Sequence, residues 1–175
     1  MLRRDFLLDR VVQGQAVLDL GCGLGEFTAA LSEHGAIVTG CDVAQEALRR
    51  ARARAPTVEF VLTGEELPFA DESFDVVWAG EVLEHVQDGL GLLAEVRRVL
   101  RPGGRLLLST PDHGPLRRLW LGLSATAFDR HFDPRSDHVR FFTARTLRGT
   151  LEAADLGEPQ IARRAGMLLA STSRS

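Results

Sequence analysis

Ala16-Val17-Leu18-Asp19-Leu20-Gly21-Cys22-Gly23-Leu24-Gly25 is a short apolar run that stops at three glycines spaced two apart. Beyond it Phe27, Ala30 and Leu31 recur at helical spacing, so the stretch reads as strand, glycine turn and helix. That helix closes near His34-Gly35, where glycine suits the left-handed position past a helix end, and Ile37-Val38-Thr39-Gly40-Cys41 reads as a second strand. A βαβ unit is therefore complete by Asp42. Working outward, the pattern predicts a leading amphipathic helix before residue 16, a helix over Gln45 to Ala55, and strands over Val58 to Leu62 and Phe74 to Ala79. A helix over Leu90 to Leu100 follows, then a Pro102-Gly103-Gly104 turn and a strand over Arg105 to Ser109. Strands alternating with helices give an α/β, Rossmann-like, mostly parallel sheet covered on both faces.

Regularity is expected to fail from Thr110 to Arg140, a stretch too long for a passive connection and so read as a functional insertion, with a substrate lid over 112–140. His113, His131, Asp133, Asp137, His138 and Arg140 fall there, a density of ionisable groups that favours substrate handling. Leu116, Leu119, Trp120 and Leu123 keep helical spacing and either complete the core or form an apolar lid. A helix resumes over Ala144 to Ala154, and the strands Gln160 to Arg164 and Met167 to Thr172 are joined by Ala165-Gly166 in a tight C-terminal antiparallel hairpin. The whole reads as one domain over 1–175.

The chemistry begins at the glycine turn, where the backbone can approach a ligand and the following helix presents free N–H groups. Asp42 closes the second strand seventeen residues after Gly25, where a carboxylate can accept both hydroxyls of a ribose. A nucleoside-containing cofactor is the expectation. The spacing is Gly-x-Gly-x-Gly, whereas the dinucleotide fingerprint needs its third glycine where this chain has Glu26. A glutamate at the helix start repels a pyrophosphate but tolerates a cationic sulfonium. A nicotinamide-dependent dehydrogenase is thus the weaker alternative.

Val17-Leu18-Asp19-Leu20-Gly21-Cys22-Gly23-Leu24-Gly25, Asp42, Leu67-Pro68-Phe69 through Ser73-Phe74-Asp75-Val76-Val77, Val82-Leu83-Glu84-His85-Val86 and Val99-Leu100-Arg101-Pro102-Gly103-Gly104 resemble, in order and spacing, the class I S-adenosylmethionine-dependent methyltransferases. The branch is that of the ubiquinone and menaquinone biosynthesis methyltransferases and natural-product O-methyltransferases. The resemblance implies a seven-stranded sheet and S-adenosylmethionine as cofactor. It sets Gly21, Cys22 and Gly23 along the methionine moiety with Asp19 behind the turn, Asp42 on the ribose, and Val43 against adenine. Thr63, Gly64 and Glu65 would face the adenine edge with Leu67 beneath, and Ala79 would border the site from the fourth strand. Relatives often carry an aspartate where this chain has Thr63, whose hydroxyl can accept the same hydrogen bond without charge.

Glu81-Val82-Leu83-Glu84-His85 follows the fourth strand, at the edge where open α/β sheets bind ligands. Three readings stand. His85, with His138 from the insertion as a second candidate, could be the general base; Glu81, Glu84 and His85 could hold a divalent metal, as related ubiquinone O-methyltransferases are thought to do; or the motif shapes the cofactor pocket. Helix onset at Glu84-His85, which makes adjacent side chains diverge, favours no metal.

Composition narrows the rest. The 175 residues carry 21 basic and 24 acidic side chains, a net charge of −3, and no lysine, tyrosine or asparagine. This near balance offers no nucleic-acid footprint. Without asparagine there is no Asn-Pro-Pro loop of the DNA-base methyltransferases, and the resemblance implies a small-molecule acceptor, methylated on a hydroxyl oxygen. A non-catalytic cofactor-binding partner of a larger enzyme is the alternative. Asp5 and Asp9 interrupt what would be a signal-peptide core, no apolar run spans a bilayer, and two cysteines are too few for a disulfide scaffold, so a cytoplasmic protein is expected. The arginines at 49, 50, 52 and 54 read as a solvated helix face.

Overall fold

A computed structural model describes residues 2–64, 66–133 and 139–174. In chain order the elements are α1 (Leu2–Leu8), β1 (Ala16–Leu20), α2 (Glu26–Glu33), β2 (Ile37–Asp42), α3 (Gln45–Arg54), β3 (Glu59–Leu62) and β4 (Phe74–Gly80). They continue as α4 (Gly89–Val99), β5 (Leu100–Pro111), α5 (Pro115–Leu123), α6 (Ala125–His131), α7 (Ala144–Ala153), β6 (Gln160–Arg164) and β7 (Met167–Ser173).

The strands form one seven-stranded sheet in the order β3-β2-β1-β4-β5-β7-β6. β7 alone runs antiparallel to its neighbours β5 and β6, so the expected C-terminal hairpin supplies the single reversed strand. Its turn needs positive φ at both central residues, and Ala165 adopts φ 47° beside Gly166 at φ 79°. The order reverses between β1 and β4, and there the carboxyl ends of both strands open a crevice.

Alternate residues of the central strands feed two cores, which is why these strands read as continuous apolar runs. Val76 and Trp78 face α1 and α2 together with Val17, Leu31 and Leu107. Val77 and Ala79 face the opposite layer with Leu93, Val96, Leu147 and Leu151 of α4 and α7. Trp78 is fully buried, packing its ring near Phe6 and Phe27, so α1 belongs to the fold's body.

Two expectations are corrected. Pro102-Gly103-Gly104 is a bulge inside β5: Phe74 pairs with Leu100 and Val76 with Arg105, leaving four residues opposite Asp75. Gly103, at φ 75°, donates its N–H to the Arg174 carbonyl, so pairing with the segment just past β7 carries the strand through a sequence that signals a turn. The stretch after β5 is also regular over two helices. Pro115 starts α5, and Ser124 caps α6 by accepting from the Ala127 N–H. The helical spacing of Leu116, Leu119, Trp120 and Leu123 belongs to α5, whereas α6, at seven residues, is too short to show a period of its own.

Candidate active site

The glycine turn follows β1 directly. Gly21 adopts φ 67°, and a Cβ there would lie 2.5 Å from Cγ2 of Val82, so the turn can meet the loop after β4 only as glycine. Gly23 faces open space and donates its N–H to Asp42 Oδ2 at 2.8 Å. Asp42 ends β2 and accepts from the Ala44 N–H through Oδ1, also at 2.8 Å. One carboxylate thereby ties the turn to the start of α3. Past the turn, α2 ends as expected, with Gly35 at φ 91° and the Gly35 and Ala36 N–H groups donating to the Ser32 and Leu31 carbonyls.

Asp19 lies behind the turn, 2% exposed, and accepts a hydrogen bond from the Thr28 hydroxyl at 2.5 Å. Burial, resisted by that bond, pushes its carboxyl from 3.8 to about 7. Cys22 and Cys41 are buried free thiols. Cys22 packs with Leu48, Ala51 and Phe60, and burial pushes Cys41 up to about 12, which leaves both as packing residues.

A cavity of about 740 Å3 opens at the sheet's carboxyl edge. Gly21, Asp42, Val43, Thr63, Gly64 and Leu67 line one part of it, and Glu81, Val82, His85 and Val86 the other. Val43 is 72% exposed, an uncovered apolar surface beside a carboxylate. The Thr63 hydroxyl donates to the Glu66 carbonyl at 3.1 Å, which leaves its lone pairs to accept. Glu65 and His138 lie outside the described residues. Ala79, 6% exposed, sits in the core with Leu20 behind the cavity wall rather than on it, because alternation along β4 turns its methyl toward the α4–α7 layer. These groups fit S-adenosylmethionine: a carboxylate that can accept from ribose hydroxyls, an apolar face for adenine, and a glycine backbone for the methionine moiety.

The post-β4 motif is a turn, and α4 begins only at Gly89, where Asp88 caps it by accepting from the Gly91 N–H at 2.9 Å. Helix onset at Glu84-His85 is thus corrected, yet the side chains still diverge. Glu81, a non-glycine at φ 58°, ion-pairs with Arg3 of α1; Glu84 points inward, 1% exposed; and His85 lines the cavity. Burial holds the Glu84 carboxyl above the usual carboxylate range. Among the described residues no three of His, Cys, Asp and Glu converge as a metal would require.

His113, His131 and Arg140 of the insertion make contacts that its composition hides. His113 is 5% exposed, with its Nε2 2.9 Å from Nε2 of His131, and both rings lie against Phe141. Burial, then the nearby Arg117 and His131, hold the His113 imidazole below its ordinary value. Arg140 donates to the Val86 and Gln87 carbonyls, while the Val139 and Arg140 N–H groups donate to the Glu84 carbonyl. This segment clamps the turn after β4. Leu116, Leu119, Trp120 and Leu123 are all exposed, so they do not complete the core.

Two supports escaped the sequence. Arg98 donates to the Leu67 and Phe69 carbonyls and to Glu95, whose Oε2 accepts the Leu67 N–H, so this pair holds the Leu67 side of the cavity. The Glu95–Arg98 spacing on α4 was its only signal. Arg3 meets Glu81 from 78 residues away, with no local signal at all. The α3 arginines resolve into local contacts: Arg49 and Arg50 on Glu46, Arg52 on the Phe60 carbonyl, Arg54 on Glu26.

The reversed seventh strand, the glycine turn and the acidic end of β2 define a class I S-adenosylmethionine-dependent methyltransferase fold. Residues 18–108 match the family described as methyltransferase domain, and the chain belongs to it. It is similar to the demethylmenaquinone methyltransferase of Tropheryma whipplei, 38% identical over 119 residues, 63% of this chain and 50% of that protein. It is similar to the ubiquinone biosynthesis O-methyltransferase of Hahella chejuensis, 36% identical over 164 residues, 89% of this chain and 68% of the relative. The chain therefore spans about half to two thirds of the length of these relatives. A Bacillus halodurans structure described as a methyltransferase shares the fold, with a TM-score of 0.80 and 18% identity over 98% of both chains. Membership of this family sets aside the nicotinamide alternative.

Proposed function

We propose that the chain transfers a methyl group from S-adenosylmethionine to a hydroxyl oxygen of a small molecule. The observation that carries this reading is the single cavity joining Asp42, Val43 and Thr63 to His85. Asp42 accepts the ribose hydroxyls, Val43 covers one adenine face, and the Thr63 hydroxyl accepts from the adenine amino group. Bound there, S-adenosylmethionine supplies a methyl carbon already activated by its sulfonium. The protein's share is then positioning and proton removal: as the acceptor oxygen bonds to the methyl carbon and the carbon–sulfur bond breaks, His85 takes the hydroxyl proton and passes it to water. α5 and α6 cover the acceptor and exclude solvent, with their exposed leucines and Trp120 as the apolar lining. The relatives named for O-methylation support oxygen as the acceptor atom. No helix among the described residues is long and apolar enough to cross a membrane, and two free buried thiols support a reducing, cytoplasmic setting.

Calorimetry with S-adenosylhomocysteine tests the cofactor end. Asp42→Ala removes a charged acceptor contributing roughly 1.5 to 3 kcal/mol, so affinity should fall about ten- to a hundredfold. Asp42 also holds Gly23 and Ala44, so Asp42→Asn, which keeps one acceptor oxygen, separates lost charge from a collapsed turn. Unchanged affinity in both variants would refute the ribose assignment.

A further inference from the structure

A second cleft, of about 400 Å3, lies between the first turns of α5 and α7 and the edge strand β6. Three guanidinium groups line it: Arg118 from α5, Arg145 from α7 and Arg163 from β6, with Thr143 and Thr146 between them. Elsewhere about half of the described arginines find carboxylates, among them Arg49 and Arg50 on Glu46, Arg54 on Glu26, Arg98 on Asp71 and Glu95, and Arg101 on Asp75. Here only Arg163 does, with its Nε 3.6 Å from Oδ2 of Asp112. That carboxylate lies against Gly114, where a Cβ would be 3.1 Å from the same oxygen. Arg118 and Arg145 have no ion-pair partner among the described residues, so the cleft gathers two uncompensated cations. Both are exposed, so water and salt screen them when the cleft is empty, and an anion seated between them would meet both charges at once.

The backbone adds to the same potential. Gly114, the N-cap of α5, has no side-chain cap, and the Thr143–Thr146 capping box leaves the Ala144 and Arg145 N–H groups of α7 without a capping partner. Guanidinium forks match the geometry of a tetrahedral oxyanion better than that of a halide. The cleft also shares α5 with the cover over the acceptor.

We propose that this cleft binds a phosphate ester carried by the methyl acceptor, anchoring the acceptor at the root of the lid. The assignment rests on reading α5 and α6 as the acceptor's cover. Phosphate held here fixes one end of the acceptor away from the cofactor cavity, so it acts on acceptor affinity and leaves cofactor affinity alone.

The test is calorimetry at constant ionic strength with inorganic phosphate, phenyl phosphate and phenol, with chloride as the control anion. Both phosphates should bind the wild-type chain, and phenyl phosphate should do so at least as tightly as the free anion. Arg118→Gln and Arg145→Gln should each weaken both phosphates about tenfold or more, while Arg50→Gln, on the α3 surface, should leave them unchanged. Phenol should not bind the cleft. Failure of phosphate to bind, or equal weakening by Arg50→Gln, would overturn the site. Binding of inorganic phosphate without phenyl phosphate would overturn the acceptor assignment, since a free anion would then be the ligand. S-adenosylhomocysteine titrated into the same samples keeps the two readings apart: it should bind every variant alike, and its failure to bind the wild-type chain would refute methyl transfer while the phosphate result stood.

Discussion

Substituting Asp19 by asparagine should flatten a pH dependence that the fold builds into this chain. Asp19 is 2% exposed beneath the glycine turn, and burial raises its carboxyl from 3.8 to about 7. The folded state therefore holds a proton that the unfolded chain releases at a much lower pH. The contribution is fully present below about pH 4 and is lost as pH rises through 7. At about 1.4 kcal/mol per pH unit, the rise from 3.8 to about 7 corresponds to ~4 kcal/mol in all. About 3 kcal/mol of this should disappear between pH 5 and pH 8. The Thr28 hydroxyl favours the ionised form and works against burial, so removing it by Thr28→Val should move the loss to higher pH. Urea unfolding of the wild-type chain and Asp19→Asn at several pH values measures the effect. Their difference cancels every other titrating group, because asparagine keeps the shape without the proton. Curves that run parallel from pH 5 to pH 8 would show that Asp19 is ionised throughout, and would refute the argument from burial.

His85→Ala should lower turnover by no more than the roughly 10²- to 10⁴-fold of a general base while leaving S-adenosylhomocysteine affinity nearly intact. Methyl transfer should survive chelation, and activity abolished by a chelator and restored by magnesium or zinc would instead assign Glu81, Glu84 and His85 to a metal. Gly21→Ala should destabilise the chain by at least 1 kcal/mol and impair cofactor binding, since its Cβ would meet Val82 at 2.5 Å and its φ is 67°; a thermal melt equal to that of the wild type would contradict the geometry. Amide exchange over α5 and α6 should be fast in the free protein and slow when S-adenosylhomocysteine and an acceptor are both bound; core-like protection without ligand would make them a fixed element.

The fold was legible because its signals are local. A strand broken by Gly21, Gly23 and Gly25, a helix closed at Gly35 and an acid at Asp42 each follow from backbone sterics and periodicity within one βαβ unit, and the same unit places the proposed ribose acceptor at the cavity. Local periodicity also found the hairpin at Ala165-Gly166, but it misread Pro102-Gly103-Gly104. The pairing of β5 with β4 and with Arg174 is a long-range contact that no turn propensity reports.

The post-β4 motif divides along the same line. Its residue types announced chemistry, but directions depended on tertiary partners: Arg3 draws Glu81 toward α1, the 139–140 backbone clamps Glu84, and His85 is left facing the cavity. In the insertion, histidines and an arginine that read as substrate-handling groups form a ring pair, with His113 buried and His131 half-buried, and a loop clamp, because aromatic neighbours and free carbonyls there come from distant segments. The sequence by itself determined the α/β alternation, the glycine turn and the cofactor class, since those rest on spacing between near neighbours. Which polar side chains enter the cavity, and where arginines from α5, α7 and β6 meet, was decided only by the packing of elements far apart in the chain.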